Sequence, residues 1–392
     1  MYLYESYLKD NHQKDLLELA DGLARTFSKH AEEIDEEGRF PYENFDAMKE
    51  KGYTSLTVPE KFGGKGINLY EFIMLQERIA SGDASTALSV GWHLGIMLEM
   101  VDDQEWSDDL FERMARLVVD ENALINRAAT EPASGSPTRG AMPETRAIQR
   151  DNGWVINGRK SFTSMAPGLD YALVSGEINQ SGKKGFFLVD MKSKGISIEK
   201  KWNTMSMRGT RSDDLVLQDV KLPLDALIEE SEKPRDKKLP KAWLLHIPAC
   251  YLGVAIAARN YAIKFASEYS PNSLPGPIKD VAEVQRKIGE MELELLKARE
   301  MMYSIAWRWV TEPDKRKGMA GELAAVKHVA TNGASTVVDL AMRIVGARGL
   351  FNDCPMQRYY RDVRAGLHNP PMDDAVISLL AANAFDNHQG PN

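Results

Sequence analysis

The stretch Thr130-Glu-Pro-Ala-Ser-Gly-Ser136, or TEPASGS, lies where the spacing of apolar residues along the chain changes. Before it, apolar residues recur at helical spacing, and after it short alternating apolar runs are separated by turn residues. Its hydroxyls, glycine and backbone N–H groups suit the binding of a phosphate or of the polar edge of a ligand. An ordinary polar loop between two domains has the same composition. The stretch therefore marks a junction between helical and β segments and is a candidate ligand loop.

The domain organisation follows from the patterns on either side of this loop. Residues 1–124 carry helical periodicity and predict an N-terminal α-helical domain. Residues 125–228 contain short alternating runs, such as Gly185-Phe-Phe-Leu-Val189, and predict a β domain. Residues 229–241 form a charged linker, and residues 242–392 return to long Ala- and Leu-rich patterns that predict a helix bundle. The fold class is therefore α+β with several domains.

Composition limits the function classes. The chain has 392 residues, 43% of them hydrophobic and 27% charged, which is typical of a soluble protein with more than one core. A formal net charge of −8 without a concentrated basic stripe argues against nucleic acid as a partner. Cys250 and Cys354 lie too far apart in sequence for a CxxC site, which argues against a structural zinc site or a disulfide framework. No targeting segment or membrane span is recognisable, so we expect a cytoplasmic protein.

A second candidate ligand segment is Gly153-Trp-Val-Ile-Asn-Gly-Arg-Lys-Ser-Phe-Thr-Ser164. Its Asn157-Gly158 pair predicts a tight hairpin turn. Phe162 then precedes the hydroxyls of Thr163 and Ser164, and this combination suits a planar ring that needs a stacking face and hydrogen bonds. An aromatic residue in this place, taken in isolation, is more often a core residue. The segment thus predicts either a cofactor contact or ordinary packing.

Five motifs in this order resemble those of the acyl-CoA dehydrogenase family of FAD enzymes, and the resemblance runs over nearly the whole chain. The motifs are Val58–Gly64 (VPEKFGG), Thr130–Ser136, Asn157–Lys160, Met207–Pro223, and the pair Gly346 and Gly349 followed by Arg361-Asp362. The resemblance implies an N-terminal α-helical domain, a β-barrel-like middle domain and a C-terminal four-helix bundle, with FAD lying between them. It also implies α,β-dehydrogenation of an acyl-CoA in fatty acid metabolism, with electrons passed to an electron-transfer flavoprotein.

The resemblance implies cofactor contacts residue by residue. The implied FAD-binding residues are Thr130, Ser136, Phe162, Thr163, Ser164, Gly346 and Gly349. Phe162 stands where the family usually has a tryptophan against the isoalloxazine ring. Gly346 and Gly349 match glycines that approach the FAD of a neighbouring subunit, which implies a homodimer or a homotetramer. Two departures, Ser270–Gly276 in place of an Arg-x-x-Phe-Gly motif and Arg343 in place of a glutamine, imply that the FAD contacts between subunits differ here.

The base of the dehydrogenation is absent from both of its usual places. In the family reaction a carboxylate removes the α-proton while flavin N5 takes the β-hydrogen as hydride. Counting nine residues from Arg361, where most members have a glutamate, reaches Pro370. Counting back ten residues from Gly253, where other members have it, reaches Trp243. Neither residue can accept a proton.

Three interpretations follow. Two prolines could reshape the loop so that Asp373 or Asp374 serves as the base, with a pKa raised by burial and by the neighbouring carboxylate, although both aspartates also suit the N-terminal end of a helix. The alternative is a flavin monooxygenase of the same fold, which uses reduced flavin and oxygen and in which His93 and His368 lie near the flavin. A third interpretation is a weakly active protein that binds flavin or acyl-CoA.

Overall fold

The computed structural model describes residues 5–133, 141–231 and 239–388. Within the first range six α-helices form the N-terminal part: α1 (Asn11–Phe27), α2 (Ala31–Glu37), α3 (Tyr42–Glu50), α4 (Leu69–Ala80), α5 (Ala84–Asp103) and α6 (Asp108–Val119). Side chains that accept backbone N–H groups determine where several of them begin. Asp10 caps α1, and Asn68 caps α4 in a capping box with Glu71.

The middle part is a β-sheet whose described strands are β1 (Ile125–Ala128), β2 (Arg146–Arg150), β3 (Gly153–Lys160), β4 (Tyr171–Ile178), β5 (Lys183–Asp190), β6 (Ile196–Glu199), β7 (Asp214–Pro223) and β8 (Leu227–Ser231). Their order across the sheet is β6-β7-β3-β2-β4-β5-β8, and β1 pairs with β4. One face buries an apolar cluster in which Trp154 meets Phe187 edge to face at 5.2 Å. Alternation of apolar and polar residues places this cluster on a single face.

The predicted hairpin turn at Asn157-Gly158 is wrong. β3 continues through this pair, and its register against β7 shifts there in a β-bulge. The asparagine side chain exchanges hydrogen bonds with Asp219 on β7 (2.8 and 3.0 Å), so it stabilises the bulge and not a turn. A Cβ at Gly158 would lie only 2.3 Å from Oγ1 of Thr145, which explains the glycine. The turn between β2 and β3 lies instead at Asp151, where φ is 42°.

The last strand extends into the predicted linker. β8 runs to Ser231, whereas the charged segment was expected to begin at residue 229. Glu229 accepts hydrogen bonds from Arg127 (2.9 Å) and from the indole of Trp106 (2.9 Å). Because the charge of Glu229 is paired and partly buried, this residue belongs to the sheet. In the sequence alone, its charged neighbourhood resembles a solvated linker.

The C-terminal part is a bundle. Its described helices are α7 (His246–Glu268), α8 (Ala282–Thr311), α9 (Ala320–Val345), α10 (Pro355–Ala365) and α11 (Asp373–His388). The segment Ala242–Glu268 is long and apolar enough to cross a membrane by length and composition alone, but 89% of its most apolar window is buried inside the protein. Helix α7 is therefore the central helix of the bundle. The three-part architecture predicted from the sequence is confirmed.

The N-terminal helices and the bundle share one continuous apolar core. A buried ion pair crosses this core. Arg299 on α8 donates from Nε and Nη2 to the two carboxylate oxygens of Glu77 on α4, both at 2.9 Å, and Tyr303 donates its hydroxyl to the same carboxylate at 3.0 Å. Because a buried charge is tolerated only with its partner, this pair fixes the relative position of α4 and α8.

We predict that Arg299→Met destabilises the protein by about 3–5 kcal/mol, since it leaves the Glu77 carboxylate buried beside an apolar side chain. Chemical denaturation followed by circular dichroism measures the change. Arg286→Met on the same helix is the control, because Arg286 pairs with exposed Glu283 and Glu290, and we expect it to change stability by less than about 0.5 kcal/mol. Equal effects of the two substitutions would contradict the role of the buried pair.

Candidate active site

The TEPASGS loop begins with a buried ion pair. Glu131 accepts a hydrogen bond from Nζ of Lys160 at 2.5 Å, at the end of β3, and Lys160 also donates to Oγ of Ser175 at 3.0 Å. The same carboxylate accepts the Thr145 hydroxyl at 2.6 Å and the Glu144 backbone N–H at 2.6 Å. Two of the motifs found in the sequence therefore meet, and their ionic contact fixes Glu131, at the start of the loop, against the strand.

The charges of this pair follow from its surroundings. Burial alone would raise the pKa of Glu131, but hydrogen bonds from Lys160 and Thr145 lower it to about 2. Burial lowers the pKa of Lys160 to about 8. Both side chains are therefore ionised at neutral pH. Since each charge is removed from water, separating the pair leaves an uncompensated buried charge.

Phe162 lies two residues beyond this anchor and faces outward. Its backbone is left-handed, with φ of 53°, and its side chain is 65% exposed. The ring contacts Trp202 edge to face at 5.8 Å, and the neighbouring Ser161 N–H donates to the Thr130 carbonyl at 2.9 Å. A bulky residue in the left-handed region is strained, and strain of this kind clusters at ligand sites. The core position considered for Phe162 is therefore excluded.

The two hydroxyls after Phe162 differ. The side chain of Thr163 is buried, and its Oγ1 has no hydrogen-bond partner in the part of the chain that the structure describes. Ser164 Oγ shares a hydrogen bond with Ser212 at 2.9 Å, and Ser212 is in turn bonded to Thr210. The Ser164 hydroxyl thus belongs to a chain of hydroxyls, whereas that of Thr163 is buried without a partner among the described residues.

The Arg361-Asp362 pair joins the three parts of the molecule. Arg361 pairs with Asp35 of α2 and donates to the Met205 carbonyl at 2.6 Å. Asp362 accepts the Met207 backbone N–H at 2.6 Å. Burial raises the pKa of Asp362 to about 7. The pair is a structural clasp between the bundle, the loop before β7 and the N-terminal helices.

The proline loop after this clasp is held at both ends. Before the prolines, Tyr251 on α7 donates its hydroxyl to Oδ1 of Asn369 at 2.7 Å. After them, Asp373 at the start of α11 accepts from Asn332 at 2.9 Å and from Lys327 at 3.3 Å. The peptide bond between Pro370 and Pro371 is cis. The loop therefore has a defined path between the two helices.

The raised pKa predicted for the two aspartates is wrong for Asp373. Partial burial opposes its charge, but the hydrogen bonds from Asn332 and Lys327 outweigh this effect and hold the pKa of Asp373 below its ordinary value. A carboxylate paired in this way is a poor base. Asp374 and His368 are exposed on either side of the prolines.

The catalytic role considered for His93 disagrees with its geometry. Its Nε2 contacts the Thr54 carbonyl at 2.9 Å, and its Nδ1 lies 3.0 Å from the Ile125 backbone N–H. Burial lowers the pKa of this histidine to about 4, so the ring is a neutral structural link between α5 and β1. Both ring nitrogens are engaged, and neither is left for a ligand.

A second buried histidine, His246, lacks the hydrogen-bond partners that His93 has. His246, in the first turn of α7, is fully buried, and both of its ring nitrogens lack a hydrogen-bond partner among the described residues. An unpaired buried polar group costs about 1–3 kcal/mol, so such a group in a native protein requires an explanation. No sequence motif marks His246, because its signal is the absence of a partner in three dimensions.

The remaining predicted cofactor residues are distributed as follows. Gly346 ends α9 with φ of 69°, and a Cβ there would meet no described atom within 4 Å. Gly349 is buried, and a Cβ there would lie 2.6 Å from Sδ of Met342, so a larger residue would displace the Met342 side chain. Thr130 is half-buried. Ser136 lies outside the described residues.

Comparison with protein families gives three consecutive matches. Residues 10–104 match the N-terminal domain model of the acyl-CoA dehydrogenases, residues 126–220 the middle domain model and residues 245–367 the C-terminal domain model. Together these models cover most of the chain in the order that the fold shows.

Curated relatives and solved structures resemble the chain over nearly their whole lengths. YdbM of Bacillus subtilis, provisionally named an acyl-CoA dehydrogenase, is 52% identical over 97% of this chain and 99% of its own. A 3-(aryl)acrylate reductase of Clostridium sporogenes is 31% identical, over 88% of this chain and 92% of its own. The caffeyl-CoA reductase-Etf complex subunit CarC of Acetobacterium woodii is 28% identical, over 87% of this chain and 91% of its own.

Butyryl-CoA dehydrogenase of Megasphaera elsdenii superposes with a TM-score of 0.84 at 22% identity, covering 96% of this chain and 99% of that one. TdsC of Paenibacillus sp. A11-2, with FMN and indole, superposes at 0.85 and 24% identity (96% and 98%).

We predict that Glu131→Gln destabilises the protein by about 3–5 kcal/mol at pH 7, because Lys160 is then buried without its counter-ion. The double variant Glu131→Gln/Lys160→Met, which removes both charges, should regain most of this loss. Denaturant unfolding at pH 7 of the wild type and both variants measures the difference. A double variant as unstable as the single one would contradict the account.

The pair also predicts a difference in acid sensitivity. The pKa of Glu131 is about 2 in the folded protein and has an ordinary value of 4.5, so its contribution to stability is complete above 4.5 and is lost as the pH falls towards 2. The wild type should therefore lose stability relative to the double variant over this range. An unchanged difference between the two proteins from pH 5 to pH 2 would contradict the depressed pKa.

Proposed function

This chain belongs to the acyl-CoA dehydrogenase family of FAD-dependent oxidoreductases, and we propose that it dehydrogenates an acyl-CoA thioester between its α- and β-carbons. The observation that carries the proposal is the exposed ring of Phe162 on a strained backbone, two residues from the buried Glu131–Lys160 pair. A rigidly anchored aromatic face of this kind fits a planar cofactor ring.

The residues around Phe162 fit a flavin. The unpartnered Oγ1 of buried Thr163 supports a hydrogen bond to a bound ring, Thr130 directly precedes Glu131 of the ion pair, and Ser136 belongs to the same sequence motif. Bound FAD supplies the acceptor for the hydride that leaves the β-carbon. The open backbone at Gly346, directly after α9, fits an approach of the cofactor from a second subunit.

We propose Asp374 as the base that removes the α-proton. Pro370 has no proton acceptor, and Asp373 is occupied by Asn332 and Lys327. Asp374 is exposed in the first turn of α11, directly after the proline loop held by Tyr251. It is therefore the carboxylate of this loop that is accessible to a substrate.

The proposed partners are an electron-transfer flavoprotein and further copies of this chain. The relative CarC is named as a subunit of a complex with Etf, which supports an electron-transfer flavoprotein as the electron acceptor here. Large apolar side chains are exposed in the last part of the chain: Leu350, Phe351, Met372, Ile377 and Phe385. Their exposure supports a homo-oligomer, a dimer or a tetramer, in which a second subunit covers them. Two buried free cysteines support a cytoplasmic location. The proposed acyl-CoA substrate supports a role in fatty acid metabolism.

A flavin monooxygenase is the second candidate. It is favoured by the proline in the usual place of the base and by the exposed imidazole of His368 two residues before it. The fold is shared with TdsC, which is named a dibenzothiophene monooxygenase. An imidazole next to a reduced flavin can hold or release a proton near neutral pH. His93 does not contribute to this alternative, since its nitrogens are engaged.

The two candidates give different flavin spectra. We predict that the FAD-loaded protein is bleached anaerobically by at least one acyl-CoA from a panel of short, medium, branched and aromatic thioesters. Asp374→Asn should slow the bleaching by about 100-fold or more, because general-base catalysis is lost. Asp386→Asn, an exposed residue of the same helix, is the control and should leave the rate unchanged.

Full-rate bleaching of the Asp374→Asn variant would contradict the assignment of the base while leaving the dehydrogenase reaction in place. No bleaching by any thioester, with spectral change only after reductant and oxygen are added, would contradict dehydrogenation. That result would favour the monooxygenase and would make His368→Ala the next variant.

We predict that Phe162→Ala weakens flavin binding by about 2- to 10-fold, because the stacking face is removed. Fluorescence titration of the apoprotein with FAD measures the affinity. Trp307→Ala removes a partly exposed ring from α8, which is assigned to no flavin contact or subunit contact, and should not change it. An unaltered affinity of the Phe162 variant would place the flavin away from this loop.

A further inference from the structure

A surface cavity of about 320 Å³, which we call the α1–α7 pocket, lies between the N-terminal helices and the bundle. The end of α1, the turn between α4 and α5, one face of α7 and the middle of α10 form its walls. None of the described residues that line it is acidic. Its principal charged and hydrogen-bonding side chains are those of Arg25, Arg78, Asn260, Tyr261, Lys264 and Tyr359.

The α1–α7 pocket lies apart from the proposed flavin and substrate region. Tyr251, which holds the proline loop, precedes Tyr261 by ten residues on α7, or about 15 Å along the helix. No residue that we assign to the flavin or to removal of the α-proton lines the pocket. A ligand bound there would therefore be a third molecule beside the flavin and the thioester.

The positive charge of the pocket comes from three side chains. Two of them share one carboxylate, since Asp21 pairs with Arg25 one turn away on α1 and accepts a hydrogen bond from Nε of Arg78 on α4 at 2.6 Å. Lys264 on α7 adds a third positive charge and forms no ion pair with the described residues. Even with Asp21 counted, the lining therefore has an excess of two positive charges.

Close packing keeps the two arginines together. A Cβ at Gly82, in the turn between α4 and α5, would lie only 2.2 Å from the Ala24 carbonyl oxygen. A larger residue at this turn would therefore push α1 away, and with it Arg25. The side chain of Arg78 is only 15% exposed, whereas Lys264 is exposed. The lining thus combines a guanidinium group held in place with an ammonium group open to solvent.

The uncharged lining groups keep hydrogen-bond donors. Oδ1 of Asn260 accepts from Nη1 of Arg259 at 2.8 Å, so the amide NH₂ group points away from that arginine. The Tyr261 oxygen accepts the thiol of Cys354 at 3.3 Å, which leaves the tyrosine's own hydrogen to be donated. Burial and the contact with Cys354 raise the pKa of Tyr261 to about 12, so its hydroxyl keeps this hydrogen at neutral pH. These donors suit an anion whose oxygens only accept.

We propose that the α1–α7 pocket binds a phosphate group between Arg25, Arg78 and Lys264. A phosphate group carries about −1.5 to −2 charges at pH 7 and three strong acceptor oxygens, which match the excess charge and the donors of the lining. Guanidinium groups suit such oxygens because they donate two parallel hydrogen bonds. The phosphate is either free or part of a small molecule, for which a cavity of about 320 Å³ has room.

Calorimetric titration of the FAD-loaded protein tests this site without turnover. The ligands tested are inorganic phosphate, glucose 6-phosphate and glucose, at low ionic strength because salt screens exposed charges. We expect phosphate to bind and glucose not to bind. Lys264→Met should weaken phosphate binding by at least about 10-fold, since a charge-assisted contact is lost, and Tyr261→Phe should weaken it by about 2- to 10-fold.

Lys14→Met is the matched control, because it removes an exposed lysine of α1 that does not line the pocket. It should leave the affinity for phosphate unchanged. Phosphate should also raise the unfolding temperature of the wild type and of the Lys14 variant, since a ligand of the folded state stabilises it. The same concentration should have a smaller effect on Lys264→Met, whose exposed position makes a folding defect easy to recognise by circular dichroism.

The two phosphates distinguish the sources of the group. Tighter binding of glucose 6-phosphate than of inorganic phosphate supports a small phosphorylated molecule as the ligand, and equal or weaker binding supports free phosphate. Absence of binding by both would overturn the proposal. Equal binding of glucose and glucose 6-phosphate would also overturn it. So would phosphate affinity that is unchanged in Lys264→Met and Tyr261→Phe, or that falls equally in Lys14→Met, because the anion would then be bound elsewhere or without specificity.

Discussion

The clasp formed by Arg361 and Asp362 is the constraint on which the rest of the site depends. These two consecutive residues on α10 bind a carboxylate of the N-terminal helices and the backbone around Met207 before β7. Each contact removes charge from water, so the clasp tolerates little displacement of either side. Because the proline loop follows directly on the same helix, its position relative to the β domain is fixed by the clasp. The clasp thus connects all three parts of the chain.

Buried charge is used in the same way at the other joints. The Glu77–Arg299 pair joins α4 to α8, and the Glu131–Lys160 pair joins the TEPASGS loop to β3. Buried ion pairs contribute little net stability compared with apolar packing, but they admit one geometry only. In this protein they stand where the elements that carry the candidate site are connected. We therefore infer that these ion pairs hold the connected elements in fixed relative positions. A flavin and a substrate bound between domains both require such fixed positions.

The sequence was sufficient for the architecture, because motifs such as TEPASGS and Asn157–Lys160 are local and their order along the chain is specific. It was insufficient where a residue's role depends on a distant partner. Asn157-Gly158 has the signature of a turn, yet its side chain bonds to β7 and forms a bulge. Asp373 was expected to have a raised pKa, but α9 supplies its partners. His246 belongs to no sequence motif. What distinguishes it is that its buried ring nitrogens have no hydrogen-bond partner among the described residues.

A crystal structure of the FAD-loaded protein with an unreactive acyl-CoA analogue would test the central claim most directly, namely that the clasped domains hold a flavin against Phe162. We predict that the isoalloxazine ring lies in van der Waals contact with the Phe162 ring, that Oγ1 of Thr163 gains a hydrogen bond, and that the Asp362 contact with the Met207 N–H is retained. A flavin bound elsewhere, with Phe162 still exposed to solvent, would contradict the account.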